Sequence, residues 1–493
     1  MMRARRAAAL LPLFLFASAA CQDELAPNRA SSASDPSAPA PVDPDNPVDP
    51  FTPAPALPPG TALPDGGVVP PPAEPPYVYV PYDINHVLST GQSNSVANDG
   101  KPILSTSQPY SNLMFDVGVM TASKCGGDGC THYDEPAAFV PLVEGDSFFY
   151  PVETMSSGLA NQTTKMGLAL GVEHTMLVSL HGRSGNSYLC LRKGSCDWWP
   201  TKGYVQPFDD GMRQVRDAKR LAEAAGKSYV VRAVTVIHGE NDHYAYSAGK
   251  PAFPMPGTDG VSTLDDYADA LLEWQRDYET GVQEITGQTV PVPLFLNQYS
   301  HWNDVPTSVI PYMQMDAHLR SSGKVTIVGP TYVLPYSNDC LHFTGPGERW
   351  LGEYFAKAYS ATVLEGRRWE PLRPIAVTRA GAIVTAKFHV PAPPLVFDTT
   401  RVDDPGDFGF EWYDESGATP AIAKVEIIAT DTVQVTLASA PTTGGRLRYA
   451  YTFEGCAGSR TLARGNLRDS DATPSQNGHE LFNWAVHFDA PVP

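Results

Sequence analysis

Five short apolar runs, each closed by turn residues, constrain the fold of this chain more than any other feature. They are residues 84–90 (INHVLST), 175–181 (TMLVSLH), 229–237 (YVVRAVTVI), 292–297 (VPLFLN) and 324–329 (KVTIVG). Continuous β-rich runs of this length suit strands buried on both faces. Helical stretches lie between them. Residues 209–226 open with two carboxylates and close at Gly226, as helices prefer. Residues 265–285 are amphipathic, and 345–363 form a last helix. Strands alternating with helices predict an α/β domain with a parallel sheet, and such sheets gather ligands at the carboxyl ends of their strands.

The pattern has limits at both ends. After about residue 370 the helical signal fades, and runs such as GAIVTAKFHV, KVEIIATDTVQVTLA and RLRYAYTF read as an all-β, sandwich-like domain. Before residue 77, a Pro, Ala, Ser and Asp stretch cannot bury enough surface to offset its ordering entropy. A chain of 493 residues is too long for one ordinary core. The expected organisation is 1–20 signal segment, 21–76 Pro-rich tether, 77–368 α/β domain and 369–493 C-terminal β domain.

The first residues read as an export signal. Arg3, Arg5 and Arg6 precede a short apolar stretch, 7–20, and small residues then lead into Cys21. This resembles a bacterial lipobox, in which Cys21 is lipidated; the bland alternative is a secreted protein with Cys21 incidental. The expected location is therefore outside the cytoplasm, lipid-anchored to the cell envelope, with no other membrane attachment. The net charge of −19 argues against nucleic acid as a partner. Beyond Cys21, six cysteines remain, an even number that suits disulfides in an oxidising compartment. Cys125–Cys130 and Cys190–Cys196 are near neighbours. That leaves Cys340 and Cys456, whose pairing would tie the β domain to the first.

Four segments at predicted strand ends carry chemically apt residues. Gly91-Gln92-Ser93-Asn94 can present a serine hydroxyl at a strand-to-helix turn. The second, Gly182-Arg183-Ser184-Gly185-Asn186-Ser187, offers glycine N–H groups to an oxyanion. In His238-Gly239-Glu240-Asn241-Asp242, Asn241 can donate its amide while Glu240 and Asp242 orient loops. A metal on His238, Asp242 and His243 finds no supporting ligand spacing. Finally, Asp339-Cys340-Leu341-His342 supplies a base, His342, and an acid to orient it, Asp339. Each is weak alone; their order is not.

In that order, GQSN, the glycine-bearing block, GEND and DCLH resemble the four blocks of the SGNH hydrolases, also called GDSL-type esterases. The resemblance spans roughly residues 80–365 and is nearest the carbohydrate acetylesterase branch, with its sialate O-acetylesterase-like and acetylxylan esterase members. It implies a three-layer fold on a five-stranded parallel sheet, with no cofactor and no metal. Ser93 would be the nucleophile, His342 the base and Asp339 its orienting acid. Ser93, Gly185 and Asn241 would hold the oxyanion, with Gly182 the rival to Gly185. Gln92, Asn94, Glu240 and Asp242 would support the substrate or the loops. His238 stands where the family often has Gln, so its role is open. The implied substrate is a carbohydrate ester; the alternatives are a lipid or other acyl ester, or an idle carbohydrate-binding or adhesion protein on the same scaffold. Tyr188, Trp198, Trp199, Tyr244 and Tyr246 could stack on sugars or simply pack. The acidic loop at 465–471 could take calcium, although a turn rich in Asp and Asn is the commoner reading.

Overall fold

The structure is a computed structural model that describes residues 78–492, except 127–128, 146–150, 195, 197–201, 303–304, 415–418 and 454–462. The expected signal, Cys21 and the tether lie outside the described residues, as do Trp198, Trp199 and Cys456.

Each of the five apolar runs forms a strand. They are β1 (Ile84–Gly91), β2 (Met176–Leu180), β3 (Tyr229–Ile237), β4 (Leu294–Gln298) and β5 (Val325–Pro330). All neighbours pair parallel, in the order β2-β1-β3-β4-β5. Two three-residue strands, Leu113–Phe115 and Phe139–Pro141, continue the sheet beyond β2, the second antiparallel to the first. The sheet thus has seven strands, five of them those expected.

Adjacent strand residues face opposite layers, as a two-residue period requires. Val87, Ala233 and Phe295 point into one apolar cluster, with helices α1 (Met155–Ala169) and α5 (Gly345–Tyr359). Leu88, Val234 and Leu294 point into the other, with α2 (Pro207–Ala224), α3 (Tyr267–Thr286) and α4 (Ile310–Arg320). This is a three-layer α/β arrangement. Helices α1 and α5 touch backbone to backbone. A Cβ on Gly158 would sit 2.1 Å from the Arg349 carbonyl oxygen, and one on Gly352 would sit 2.2 Å from that of Met155.

The C-terminal region is antiparallel. Strands Arg373–Ala380, Ile383–His389, Thr432–Leu437 and Ile422–Ala429 form one sheet; Phe410–Asp414, Gly445–Tyr449 and Phe488–Val492 form another. The two meet where the Phe388 and Phe488 rings lie 6.0 Å apart, edge to face. Val384, Phe388, Trp412 and Tyr449 belong to the same apolar cluster as β1 and α5.

A loop of this region also grips α5. Trp350 Nε1 donates to the Glu480 carbonyl at 3.0 Å, and the Tyr354 hydroxyl to that of Phe482 at 2.9 Å. Between them Lys357, 3% exposed, reaches the Leu481 carbonyl, Asn483 Oδ1 at 2.7 Å and Asp471 Oδ2 at 2.8 Å. The acidic loop considered for calcium therefore closes on an ammonium from the chain itself. Among the described residues, no helix is long and apolar enough to cross a membrane.

Candidate active site

In the order β2-β1-β3, the chain leaves β1 toward one side of the sheet and β3 toward the other. In open α/β sheets such a switch point, outside the carboxyl ends of the strands, is where ligands are bound. Ser93 stands there, as the first residue of a one-turn 3-10 helix, Ser93–Val96. Its own N–H is therefore one that the helix cannot satisfy. The turn is anchored on both sides: Gln92 N donates to the Ile237 carbonyl at 3.1 Å, and Arg183 N to that of Gly91 at 2.9 Å. Gly91 is required, since its φ is +133° and a Cβ would lie 2.0 Å from the Ile237 oxygen.

The other blocks converge on this turn. Gln92 Oε1 accepts from Asn241 N at 3.0 Å. Asn94 Nδ2 donates to Glu240 Oε1 at 2.9 Å and to the Leu341 carbonyl at 3.0 Å, while its Oδ1 accepts from Phe343 N at 3.2 Å. Leu341 and Phe343 flank His342, so the residue next to Ser93 holds the backbone on both sides of that histidine. His342 Nδ1 meets Asp339 Oδ2 at 2.5 Å. The other Asp339 oxygen accepts from Leu341 N, His342 N and the Ser337 hydroxyl. Burial by itself would raise the Asp339 carboxyl; the hydrogen bonds from His342 and Ser337 win, and it lies well below the usual carboxylate range. Cys340, between them, is disulfide-bonded, and its partner lies outside the described residues, as does the expected Cys456. The other two expected pairs, Cys125–Cys130 and Cys190–Cys196, are both formed.

The two glycines of the second block have distinct jobs. Gly182 is pressed against the turn that bears Ser93: a Cβ would sit 2.1 Å from Ser95 Oγ. Gly185 adopts φ +68°, and its carbonyl accepts from Asn241 Nδ2 at 2.9 Å. An amide nitrogen carries two hydrogens, so that contact leaves Asn241 one to offer. Arg183, fully buried, fixes the block by pairing with Asp210 and donating to the carbonyls of His181 and Gly182.

Asp242 accepts from Tyr188 N at 2.9 Å, and His238 joins Tyr267 Oη (2.7 Å) to the Asn186 carbonyl (3.1 Å). His238 is thus a tie between loops. Tyr188 is fully buried, edge-on to Trp274 and bonded to Glu273, so it packs and does not face a sugar. Tyr246 stacks on Phe253, and Tyr244 edges His243. The described residues whose ligand atoms cluster as a metal would need are Asp99, Asp339 and His342. The last two already bond each other, and Asp99 Oδ2 lies 3.1 Å from the Ser337 hydroxyl oxygen. His301, just past β4, was not among the sequence candidates. It is fully buried and lies 3.1 Å from Glu240 Oε1.

No protein-family model matches the sequence, and no curated protein matches it. Among solved structures, the chain is similar to a carbohydrate acetylesterase from Xanthomonas citri at 11% identity, covering 82% of this chain and 80% of that one, with a TM-score of 0.49. It is similar to a carbohydrate acetylesterase from Sinorhizobium meliloti at 10% identity, covering 56% and 99%, TM-score 0.25. A third is an M. smegmatis aryl esterase at 14% identity, covering 55% and 97%, TM-score 0.26.

Proposed function

We propose that this chain is a serine esterase of the SGNH type that removes acetyl groups from carbohydrate esters. One observation carries the reading: Asn94, next to Ser93 in the chain, holds the backbone on both sides of His342, which is itself bonded to Asp339. In the proposed reaction His342 Nε2 takes the Ser93 proton as Oγ attacks the ester carbonyl. Asp339 holds Nδ1 and stabilises the imidazolium that forms. The N–H groups of Ser93 and Gly185 and the Asn241 amide receive the oxyanion, each contributing about 3 kcal/mol to the transition state. His342 then protonates the leaving alcohol, and water releases acetate by the same steps in reverse.

The carbohydrate part of the proposal rests on the GQSN and GEND blocks, and the envelope location on the Arg-rich start and Cys21. The test is turnover of p-nitrophenyl acetate, acetylated xylan and acetylated sialic acid by the purified protein. Activity abolished in Ser93→Ala supports the esterase; no turnover of any acetyl ester refutes it. Rates that climb with acyl chain length would move the substrate to lipid. Failure of Cys21→Ala to change fatty-acid incorporation would remove the anchor.

A further inference from the structure

Both N–H groups of Asn94 are spent, one on Glu240 and one on the Leu341 carbonyl, and its oxygen accepts from Phe343 N. Its orientation is therefore set by whatever fixes Glu240. That carboxylate is buried; Oε1 takes both Asn94 Nδ2 and His301 Nε2, the latter at 3.1 Å, while Oε2 meets no protein donor among the described residues. Burial alone would raise Glu240; the hydrogen bond and charge of His301 bring it down to about 2. The imidazole is itself held. Its Nδ1 lies 2.9 Å from the Tyr336 hydroxyl, and its ring packs between Tyr336 and Phe343 at centroid distances of 4.7 and 5.6 Å. Phe343 is one of the two residues Asn94 grips.

We propose that His301 is a positioning residue for the general base. It fixes Glu240; Glu240 fixes the Asn94 amide; Asn94 fixes the backbone at Leu341 and Phe343, and with it the reach of His342 toward Ser93. This inference rests on the esterase reading above. Residue 301 follows β4, so the relay carries the geometry of a third strand end into the loop that bears the base. Loss of His301 leaves Glu240 with an amide as its remaining side-chain partner, and the loop relaxes. The Asp339–His342 bond lies within one loop and survives.

The test uses the full-length protein and p-nitrophenyl acetate. His301→Ala should lower kcat by about 10- to 100-fold, as sub-ångström misplacement does, with KM within about two-fold of wild type. His301→Gln, whose amide can still donate to Glu240, should recover part of that loss. Reaction of Ser93 with a fluorophosphonate should slow in parallel with kcat. His301→Ala combined with Glu240→Gln should be little worse than either alone, since both act through Asn94. A folded His301→Ala with unchanged kcat, or with only KM raised, overturns the proposal. Should that variant not fold, Glu240→Gln and Tyr336→Phe decide, and unchanged kcat in both overturns it. Wild type and Ser93→Ala run alongside. A wild type without activity, or an active Ser93→Ala, refutes the esterase reading and this inference with it. A Ser93-dependent activity indifferent to His301 refutes the positioning role alone.

Discussion

At the carboxyl ends of the strands, segments are joined by side-chain amides and carboxylates; in the C-terminal β region they are joined by rings and branched aliphatics. Asn94, Gln92, Asp242 and Glu240 each connect one loop to another through bonds of about 3 Å. Val384, Phe388, Trp412 and Phe488 do the corresponding work in the β region by burial. Apolar packing is strong but nondirectional, at roughly 1.5–3 kcal/mol per fully buried large side chain. It holds a layer in place without specifying an angle. A hydrogen bond is weak in net terms but directional. A base that must meet a hydroxyl needs the second kind of support. The helix that follows the base receives the first kind from α1 and the β region, with a polar clasp added at Lys357.

The largest expected effect tests the crest directly. Ser93→Ala should reduce kcat by on the order of 10⁴-fold or more while leaving the thermal midpoint unchanged, because among the described residues the Ser93 side chain ties no other loop. A comparable loss of stability would mean that the crest is scaffold and not site. Second comes the clasp. Lys357→Met leaves Asp471 and Asp469 without their buried cation and should cost about 3–5 kcal/mol in urea unfolding. Turnover per folded molecule at 25 °C should stay near wild type; a large fall in kcat would mean that the two regions are not separable. Third, Asn241→Ala should lower kcat by about 10²- to 10³-fold, as loss of one oxyanion donor does. A pure KM effect would instead assign Asn241 to substrate binding.

The smallest effect concerns Glu348, buried on α5 with neither carboxylate oxygen meeting a protein donor among the described residues. Burial first, then the charges of Glu144 and Glu153, raise its carboxyl well above the ordinary glutamate value of 4.5. The folded state thus binds that proton more tightly than the unfolded chain does. Its contribution is favourable at low pH and is lost as pH rises above about 4.5. Glu348→Gln should match wild type in thermal midpoint near pH 4 and exceed it at pH 8. Parallel curves across that range would reject the assignment.

Much of the sheet was legible because strands buried on both faces are mostly apolar and β-branched, although buried Asn85, His86 and Arg232 interrupt the runs. Helices α2, α3 and α5 were legible from their ends and stripes. Helix α1 was not. Its Ser156, Ser157, Asn161, Gln162 and Thr163 are buried along with Met155 and Leu159, so no polar face remains to mark a stripe. Its glycine, Gly158, serves contact with α5 and reads in sequence as a helix breaker. A capping signal was available: the Thr154 side chain accepts from Ser156 N. The four blocks named the residues at the crest, but the division of labour between Gly182 and Gly185 depends on which loop each one faces. His301 had no motif at all. A lone histidine after a strand is unremarkable until Glu240, from another strand end, is placed against it.

Lys357 gives the C-terminal grip on α5 a particular dependence. Loops of Asp and Asn that close on a dissolved metal are only as firm as the supply of that metal. Here the cation is covalently part of the polypeptide, so its effective concentration never varies. Chelators and added calcium should leave unfolding unchanged. Acid is the agent that reaches this grip. Burial works against the Asp471 charge, yet the Lys357 ammonium holds its carboxyl below the ordinary aspartate value of 3.8. The grip is therefore complete above that pH and is lost as pH falls through the lowered value. The helix that follows His342 would therefore keep its anchorage through changes in the supply of divalent cations.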